Sequence, residues 1–375
     1  MRHIVIQVES IMKYPPTLSL LKILSELGEE VYLFTSVTGD VVEQECSEIN
    51  IKLIDLGNEY SPNNKALDKL RKIPLINHSI KSKLNELYNC DTAVWVMTSI
   101  TLKYIGNLLD NKRYIMYMYE LSQEILYYPR IPALKVNLKK LFKNASAVVE
   151  CEYNRAHIAK AWFSLKKTPY VIPNKPYLNQ LTRESNIQDE YCAQQINKIK
   201  DKKIVLYQGI IDPERPLIPF IEAVTELGDE YAMVIMSSDV DKLKDVKSSN
   251  LCLLPFVNPP HHLEITSWAH IGILTYVPVL GETTSPLNAV YCAPNKIYEY
   301  AMFGIPMIGN DVPGLKTEFD KSRIGYVFDS FDKKDILEAI KKIEINYEQM
   351  SAYTFNFYNQ IDNKQIFKEL IRCLQ

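Results

Sequence analysis

The stretch "APNKIYEYAMFGIPMIGND", residues 293–311, sets a cation and a carboxylate on one short helix. Pro294 costs nothing in a first helical turn, where its missing N–H would be unpaired anyway. Gly304 closes the helix, Pro306 forbids its continuation, and Met307–Gly309 reads as a brief buried strand. Asn295 and Lys296 fall in the first turn, where free N–H groups point outward and phosphate is favoured. Glu299 lies one turn on. Taken alone, it is either a surface partner of Lys296 at i,i+3 or an acceptor for two ribose hydroxyls. A second loop, "LYQGIIDPERPLIPFIEAV", joins a strand to an amphipathic helix. Gly209 there lets the backbone approach a ligand closely, and Arg215 is either a bidentate phosphate donor or a solvated turn residue. What these residues can do together is hold a diphosphate.

Positioning them takes a sheet. Runs rich in Val, Ile and Tyr predict strands at His3–Val8, Val31–Thr35, Lys52–Leu56, Ala93–Met97, Tyr114–Tyr119 and Ala147–Cys151. A polar segment with two prolines follows, and the pattern restarts at Ile204–Gln208, Ala232–Met236, Leu251–Val257, Gly272–Tyr276, Met307–Gly309 and Tyr326–Phe328. Strands alternating with helical stretches mean βαβ units and parallel sheets. The fold expected is α/β, with two Rossmann-like, doubly wound domains facing across a cleft. Residues 1–175 would form the acceptor-side domain, 176–200 the hinge and 201–350 the nucleotide-sugar-binding domain. Residues 351–375 would form a helix that crosses the hinge and packs back on the first domain. Ligands of such sheets bind outside the carboxyl ends of the strands.

A chain of 375 residues fits two such domains. Its net charge of −2 argues against a nucleic-acid partner. The charge is uneven: residues 1–200 carry 26 Lys and Arg against 21 Asp and Glu, and the remainder 17 against 24. Seven scattered cysteines, none in a C-x-x-C pair, fit a reducing compartment. The N-terminus runs straight into a strand, and no window reaches the roughly 18 apolar residues of a membrane span. A cytoplasmic protein is expected, attached at most to a membrane surface. Two basic stretches, "KALDKLRKIPLINHSIKSKL" (with Lys65, Lys69, Arg71, Lys72, Lys81 and Lys83) and "RIPALKVNLKKLFKNA" (with Arg130, Lys135, Lys139, Lys140 and Lys143), read either as solvated helices or as contacts to anionic lipid. The D-x-D of Asp239 and Asp241 reads as an acidic turn, and the histidines show no ligand spacing, so no metal is expected. His261-His262 read as a helix cap, or as the lining of a base pocket beside Phe256 and Val257.

The order strand–Gly209–Arg215–helix, then "LPFV", then "LNAVYCAPNKIYEYAMFGIPMIGNDVPGL", resembles the nucleotide-binding half of GT-B glycosyltransferases of family 4. It is most similar to the bacterial surface-polysaccharide subgroup, matching at Tyr207, Gln208, Gly209, Arg215, Leu287, Asn288, Tyr291, Pro294, Asn295, Lys296, Glu299 and Tyr300. The resemblance covers most of residues 203–345 and is weaker upstream, at "YMYELSQE", "ASAVVECEYNRA" and "YVIPNKP". There are departures. Tyr291 stands where the family's first paired Glu would be, and Ile210 and Arg215 replace an Arg–Lys pair, with Lys296 as the substitute cation. Tyr119-Glu120 replaces His-Glu, and "ESIMKYPPTL" replaces an N-terminal Gly-rich loop.

The resemblance implies a retaining transferase that moves a sugar from a UDP- or GDP-sugar to a glycan or lipid-linked saccharide in surface polysaccharide synthesis. It implies no cofactor and no metal. Gly209, Arg215, Phe256, Val257, Tyr291, Asn295, Lys296 and Glu299 would bind the donor nucleotide. Arg215 and Lys296 would stabilise the leaving diphosphate, and Glu120 would meet the sugar or the acceptor hydroxyl. A sugar-nucleotide 2-epimerase and an inactive nucleotide-binding partner subunit are the alternatives.

Overall fold

The structure, a computed structural model, describes residues 1–57, 66–127, 133–178, 181–279 and 285–374. Contacts divide the chain into two units. One comprises Met1–Tyr177, Glu282–Ser285 and Asn363–Gln375, the other Leu178–Gly281 and Pro286–Asp362.

The first unit is a seven-stranded parallel sheet of β1 (Arg2–Ile6), β2 (Glu30–Thr35), β3 (Lys52–Asp55), β4 (Thr92–Met97), β5 (Tyr114–Met118), β6 (Ala147–Glu150) and β7 (Tyr170–Val171). Its order is β3-β2-β1-β4-β5-β6-β7. The second sheet holds β8 (Lys203–Gln208), β9 (Tyr231–Met236), β10 (Leu251–Leu254), β11 (Ile271–Leu274), β12 (Met307–Asn310) and β13 (Gly325–Phe328), in the order β10-β9-β8-β11-β12-β13. Each is a doubly wound Rossmann-like sheet, with strand order reversing between β1 and β4 and between β8 and β11. The strands are apolar on both faces because helices cover both. Along β8, Ile204 and Leu206 enter one core while Val205 and Tyr207 enter the other.

All twelve expected strands form, and the differences have local causes. β10 stops at Leu254 instead of reaching Val257, since Pro255 has no N–H for the ladder. β7 is a two-residue strand without a hydrophobic run to announce it. Residues 176–200 are not all linker: Asp189 caps a helix, Glu190–Asn197, whose Cys192 and Ile196 are buried in the second unit's core at i,i+4 spacing. The C-terminal stretch is two helices. Tyr347–Gln360 belongs to the second unit, whereas Asn363–Leu374 buries Phe367, Leu370, Ile371 and Leu374 in the first unit's core.

The basic stretches turn their apolar sides inward. In the helix Ala66–Leu87, Ile76, Ile80 and Leu84 repeat at i,i+4 and enter the core; Arg71 and Lys81 face solvent. Leu138, Leu141 and Phe142 do the same in Leu138–Asn144. Lys135 pairs with Glu124 and Lys140 with Asp110, leaving Lys139 and Lys143 exposed. Lys65 and Arg130 lie outside the described residues, as does the side chain of Lys69. No helix among the described residues is long and apolar enough to cross a membrane.

One buried acid shares a cavity with the candidate site residue Glu120. Glu150, at the end of β6, is 1% exposed, and its Oε2 has no hydrogen-bond partner among the described residues. It borders a small enclosed cavity walled by Leu102, Met118, Ile125, Phe142, Trp162 and Phe163. Burial pushes its pKa well above the carboxylate range, against the pull of Arg155 and with a smaller push from Glu152. A carboxyl whose folded pKa is raised favours the fold most below its unfolded pKa, near 4.5, and that contribution is lost as pH rises. The melting temperature of the wild type should therefore fall more steeply from pH 5 to 9 than that of Glu150→Gln. The cost per pH unit is up to about 1.4 kcal/mol. Parallel melting curves would show that folding does not raise the Glu150 pKa.

Candidate functional site

The residues singled out in the second half of the sequence converge at the carboxyl end of β8. The helix Asn295–Ala301 is held there by Tyr300, which is fully buried. Its ring lies so close to Gly272 of β11 that a Cβ would come within 2.4 Å, and its hydroxyl donates to the Leu206 carbonyl of β8 at 3.0 Å. Pro294 is the N-cap, in extended conformation, instead of a first-turn residue as expected. The ordered helix is only seven residues long, so side chains supply most of the charge at its start.

Lys296 stands four residues before Tyr300, on the same face. Its ammonium lies 5.0 Å from the centroid of the Tyr207 ring and 5.6 Å from that of Tyr276. The Arg215 guanidinium lies 5.3 Å from the Tyr276 centroid, so two cations share one aromatic ring. Asn310 orients that ring by a two-point bond to the Tyr276 backbone, accepting from its N–H at 2.7 Å and donating to its carbonyl at 2.8 Å. Burial, and after it the neighbouring Arg215 charge, lowers the Lys296 pKa to about 8 against the opposing pull of Glu299. Gly209 completes the cradle. Its φ of +132° is a glycine conformation, and a Cβ there would sit 3.0 Å from the Lys296 ammonium.

Glu299 is 5% exposed, which removes the surface ion-pair reading. Its Oε2 accepts from Gln208 Nε2 at 2.6 Å, and His262 Nε2 lies 3.4 Å from its Oε1. Thr266 donates to Gln208 Oε1 at 2.7 Å, which turns the amide nitrogen toward Glu299. Burial works to raise the Glu299 pKa, but His262, Gln208 and the Lys296 charge together hold it below the usual carboxylate range. Glu299 is thus an anion fixed inside the fold.

Other expected residues are placed less tightly. Phe256 is exposed just past β10, and Val257 packs on the core. Asn295 opens the helix, and Tyr291 ends the short helix Leu287–Val290. Glu120 is exposed beyond the end of β5, in the other unit. The histidine pair does not cap by its side chains: His261 holds the N-cap position but bonds Glu264 at 2.9 Å, and His262 turns to Glu299. Asp239 sits 3.6 Å from Lys242 in an acidic turn. Sequence reasoning missed Tyr276, Asn310, Thr266 and the role of His262. Tyr276 stood at the end of an expected strand, a position that by itself marks a site-facing residue.

The Gln208–Glu299 bond is the part of this network most open to test. Gln208→Ala leaves a buried carboxylate oxygen without its donor and should cost about 1–3 kcal/mol in urea unfolding. An unchanged midpoint would show that Glu299 is satisfied without Gln208.

Neither a family model nor a curated protein matches this sequence. Solved structures match it in fold. HepE from Anabaena, in complex with UDP-glucose, is similar with a TM-score of 0.71 at 12% identity, over 99% of each chain. A glycosyltransferase from Rickettsia africae gives 0.63 at 11% identity, over 99% of this chain and 97% of that one. Sucrose-phosphate synthase from Thermosynechococcus elongatus gives 0.60 at 15% identity, over 100% and 94%. At these identities the likeness speaks for architecture, and the chain has the fold of the GT-B glycosyltransferases along its whole length.

Proposed function

We propose that the protein is a glycosyltransferase that takes a sugar from a UDP- or GDP-sugar. The observation that carries this reading is the pair of cations, Lys296 and Arg215, over the Tyr276 ring at the switch point of the second sheet, with anionic Glu299 one turn away. Ligands of doubly wound sheets bind at that point. The cations suit a diphosphate, and Glu299 suits the ribose hydroxyls. HepE, solved with UDP-glucose, makes UDP the first base to test.

Loss of the nucleoside diphosphate is the demanding step, because negative charge grows on the leaving group. Two fixed cations aimed at that charge supply the stabilisation, and the reading needs no metal. Transfer with retention, by same-face attack through an oxocarbenium-like state, accords with the absence of a nucleophilic carboxylate from this reading of the site. Glu120 is proposed to meet the sugar or the acceptor hydroxyl, and Phe256 and Val257 to border the base. The acceptor proposed is a glycan or lipid-linked saccharide of surface polysaccharide synthesis, as in the family 4 subgroup that the motifs resemble.

The low pKa of Lys296 makes donor binding a protonation event. A bound diphosphate raises that pKa, so at pH 8 UDP should take up about half a proton per site. Calorimetry in buffers of different ionisation enthalpy measures this directly, and Lys296→Met should abolish it while weakening binding. Uptake that survives in Lys296→Met, or failure of both UDP and GDP to bind, would remove Lys296 from the diphosphate site. UDP-glucose incubated without acceptor should hydrolyse slowly; epimerised nucleotide would support the isomerase instead.

A cytoplasmic, membrane-peripheral location belongs to the same proposal, supported by the positive excess of residues 1–200. Because the apolar sides of both basic helices are spent in the core, attachment would be electrostatic and screened over about 10 Å at 0.1 M salt. The protein should sediment with anionic vesicles at low salt, and Lys139→Glu with Lys143→Glu should weaken this. No sedimentation at low salt would leave these helices as solvated faces.

A further inference from the structure

The loop that presents Arg215 also carries two acids, and they reach the guanidinium first. Arg215 Nη1 donates to Asp212 Oδ2 at 2.6 Å, and Glu214 Oε2 lies 3.5 Å from the same nitrogen. The pair is half-sheltered, with Arg215 20% and Asp212 30% exposed. The loop around them is firmly held. Tyr207 donates to the Ile210 carbonyl at 2.5 Å, Lys242 to the Ile211 carbonyl at 2.7 Å, and the Val277 N–H to the Glu214 carbonyl at 2.8 Å. Asp212 also ties the turn itself. Its Oδ1 accepts from the Glu214 N–H at 2.9 Å, and its carbonyl accepts from the Arg215 N–H at 2.9 Å.

Two cations beside one aromatic ring repel each other, and the Arg215 charge adds to burial in lowering the Lys296 pKa. Asp212 relieves that repulsion by giving Arg215 a counter-charge. An arriving diphosphate seeks the same guanidinium N–H groups. We propose that Asp212 is a displaceable counter-anion that competes with the nucleoside diphosphate for Arg215, and so sets how readily that product leaves. The proposal rests on the diphosphate site described above. Asp212 acts through Arg215 and touches no reacting atom. It stabilises the empty site at the expense of the filled one, which favours release after transfer. Glu214, farther from the guanidinium, adds a smaller effect of the same sign.

Asp212→Asn separates competition from support, because the amide keeps Oδ1 for the turn and loses the charge. Competition predicts that this variant binds UDP and inorganic pyrophosphate about two- to fivefold more tightly, the range for displacing one partly exposed ion pair. UDP should dissociate correspondingly more slowly in stopped-flow exchange. The ligand-free protein should melt lower, while the rise in melting temperature caused by UDP should grow. The gain in affinity should vanish in Asp212→Asn combined with Arg215→Ala. Unchanged or weaker binding by a folded Asp212→Asn protein would overturn the proposal and leave Asp212 as a support for Arg215. If the wild type binds UDP while Asp212→Asn gains nothing, only the competition fails. If the wild type binds neither UDP nor pyrophosphate, the diphosphate site fails, and the competition with it.

Discussion

A tyrosine ring seated on a glycine holds the second unit's chemistry in place. Tyr300 occupies the space that any side chain at position 272 would need, and its hydroxyl reaches the backbone of the neighbouring strand. Gly272 and Leu206 belong to β11 and β8, the two strands between which the sheet order reverses. The short helix Asn295–Ala301 is therefore pinned across the switch point. Helical geometry does the rest. Lys296, four residues earlier, comes over Gly209, and Glu299, one residue earlier, comes against Gln208.

Charge is concentrated around that helix, and each charge has a distinct form of compensation. Glu299 has hydrogen-bond donors, Lys296 has aromatic faces, and Arg215 has both an aromatic face and two acids. At the opposite end of the same sheet, where β8, β9 and β11 begin, Glu344 gathers Lys203, Tyr231 and His270 into a cluster with every oxygen of the carboxylate engaged. That cluster is a structural tie. At the carboxyl end Lys296 lies against two aromatic rings, 5.0 and 5.6 Å from their centroids, and Arg215 pairs with Asp212 in a half-sheltered contact that an arriving anion can reach.

Both sheets place a buried carboxylate at the point of reversal, with opposite electrostatics. In the first unit Glu9 follows β1 and accepts from Thr98 at 2.6 Å and from Tyr14 at 2.8 Å. Thr98 adopts φ +65°, unusual for a β-branched residue, and its bond to Glu9 helps to hold that conformation. Glu9 has only neutral hydroxyl partners, so burial prevails and its pKa is raised. Glu299, buried to a similar degree, has His262 and Lys296 nearby, and its pKa is lowered. Neighbouring charge decides between the two outcomes.

The sequence by itself determined the strands, their parallel pairing and the loops that bear the site. Period, punctuation by Gly and Pro, and helix spacing are local quantities, so all twelve expected strands were legible, as were Gly209, Arg215, Lys296 and Glu299. Tertiary structure decided which of those residues meet. The choice between a surface pair and a buried anion at Glu299 depended on Gln208, 91 residues away along the chain, and on Thr266, which turns the amide. Tyr276 became a platform for two cations only once Asn310 bonded its backbone from the next strand. The basic helices were ambiguous because amphipathic spacing does not say whether protein or lipid covers the apolar side. Packing of Ile76, Ile80 and Leu84 in the core answered that, because burial is a property of contacts between distant segments.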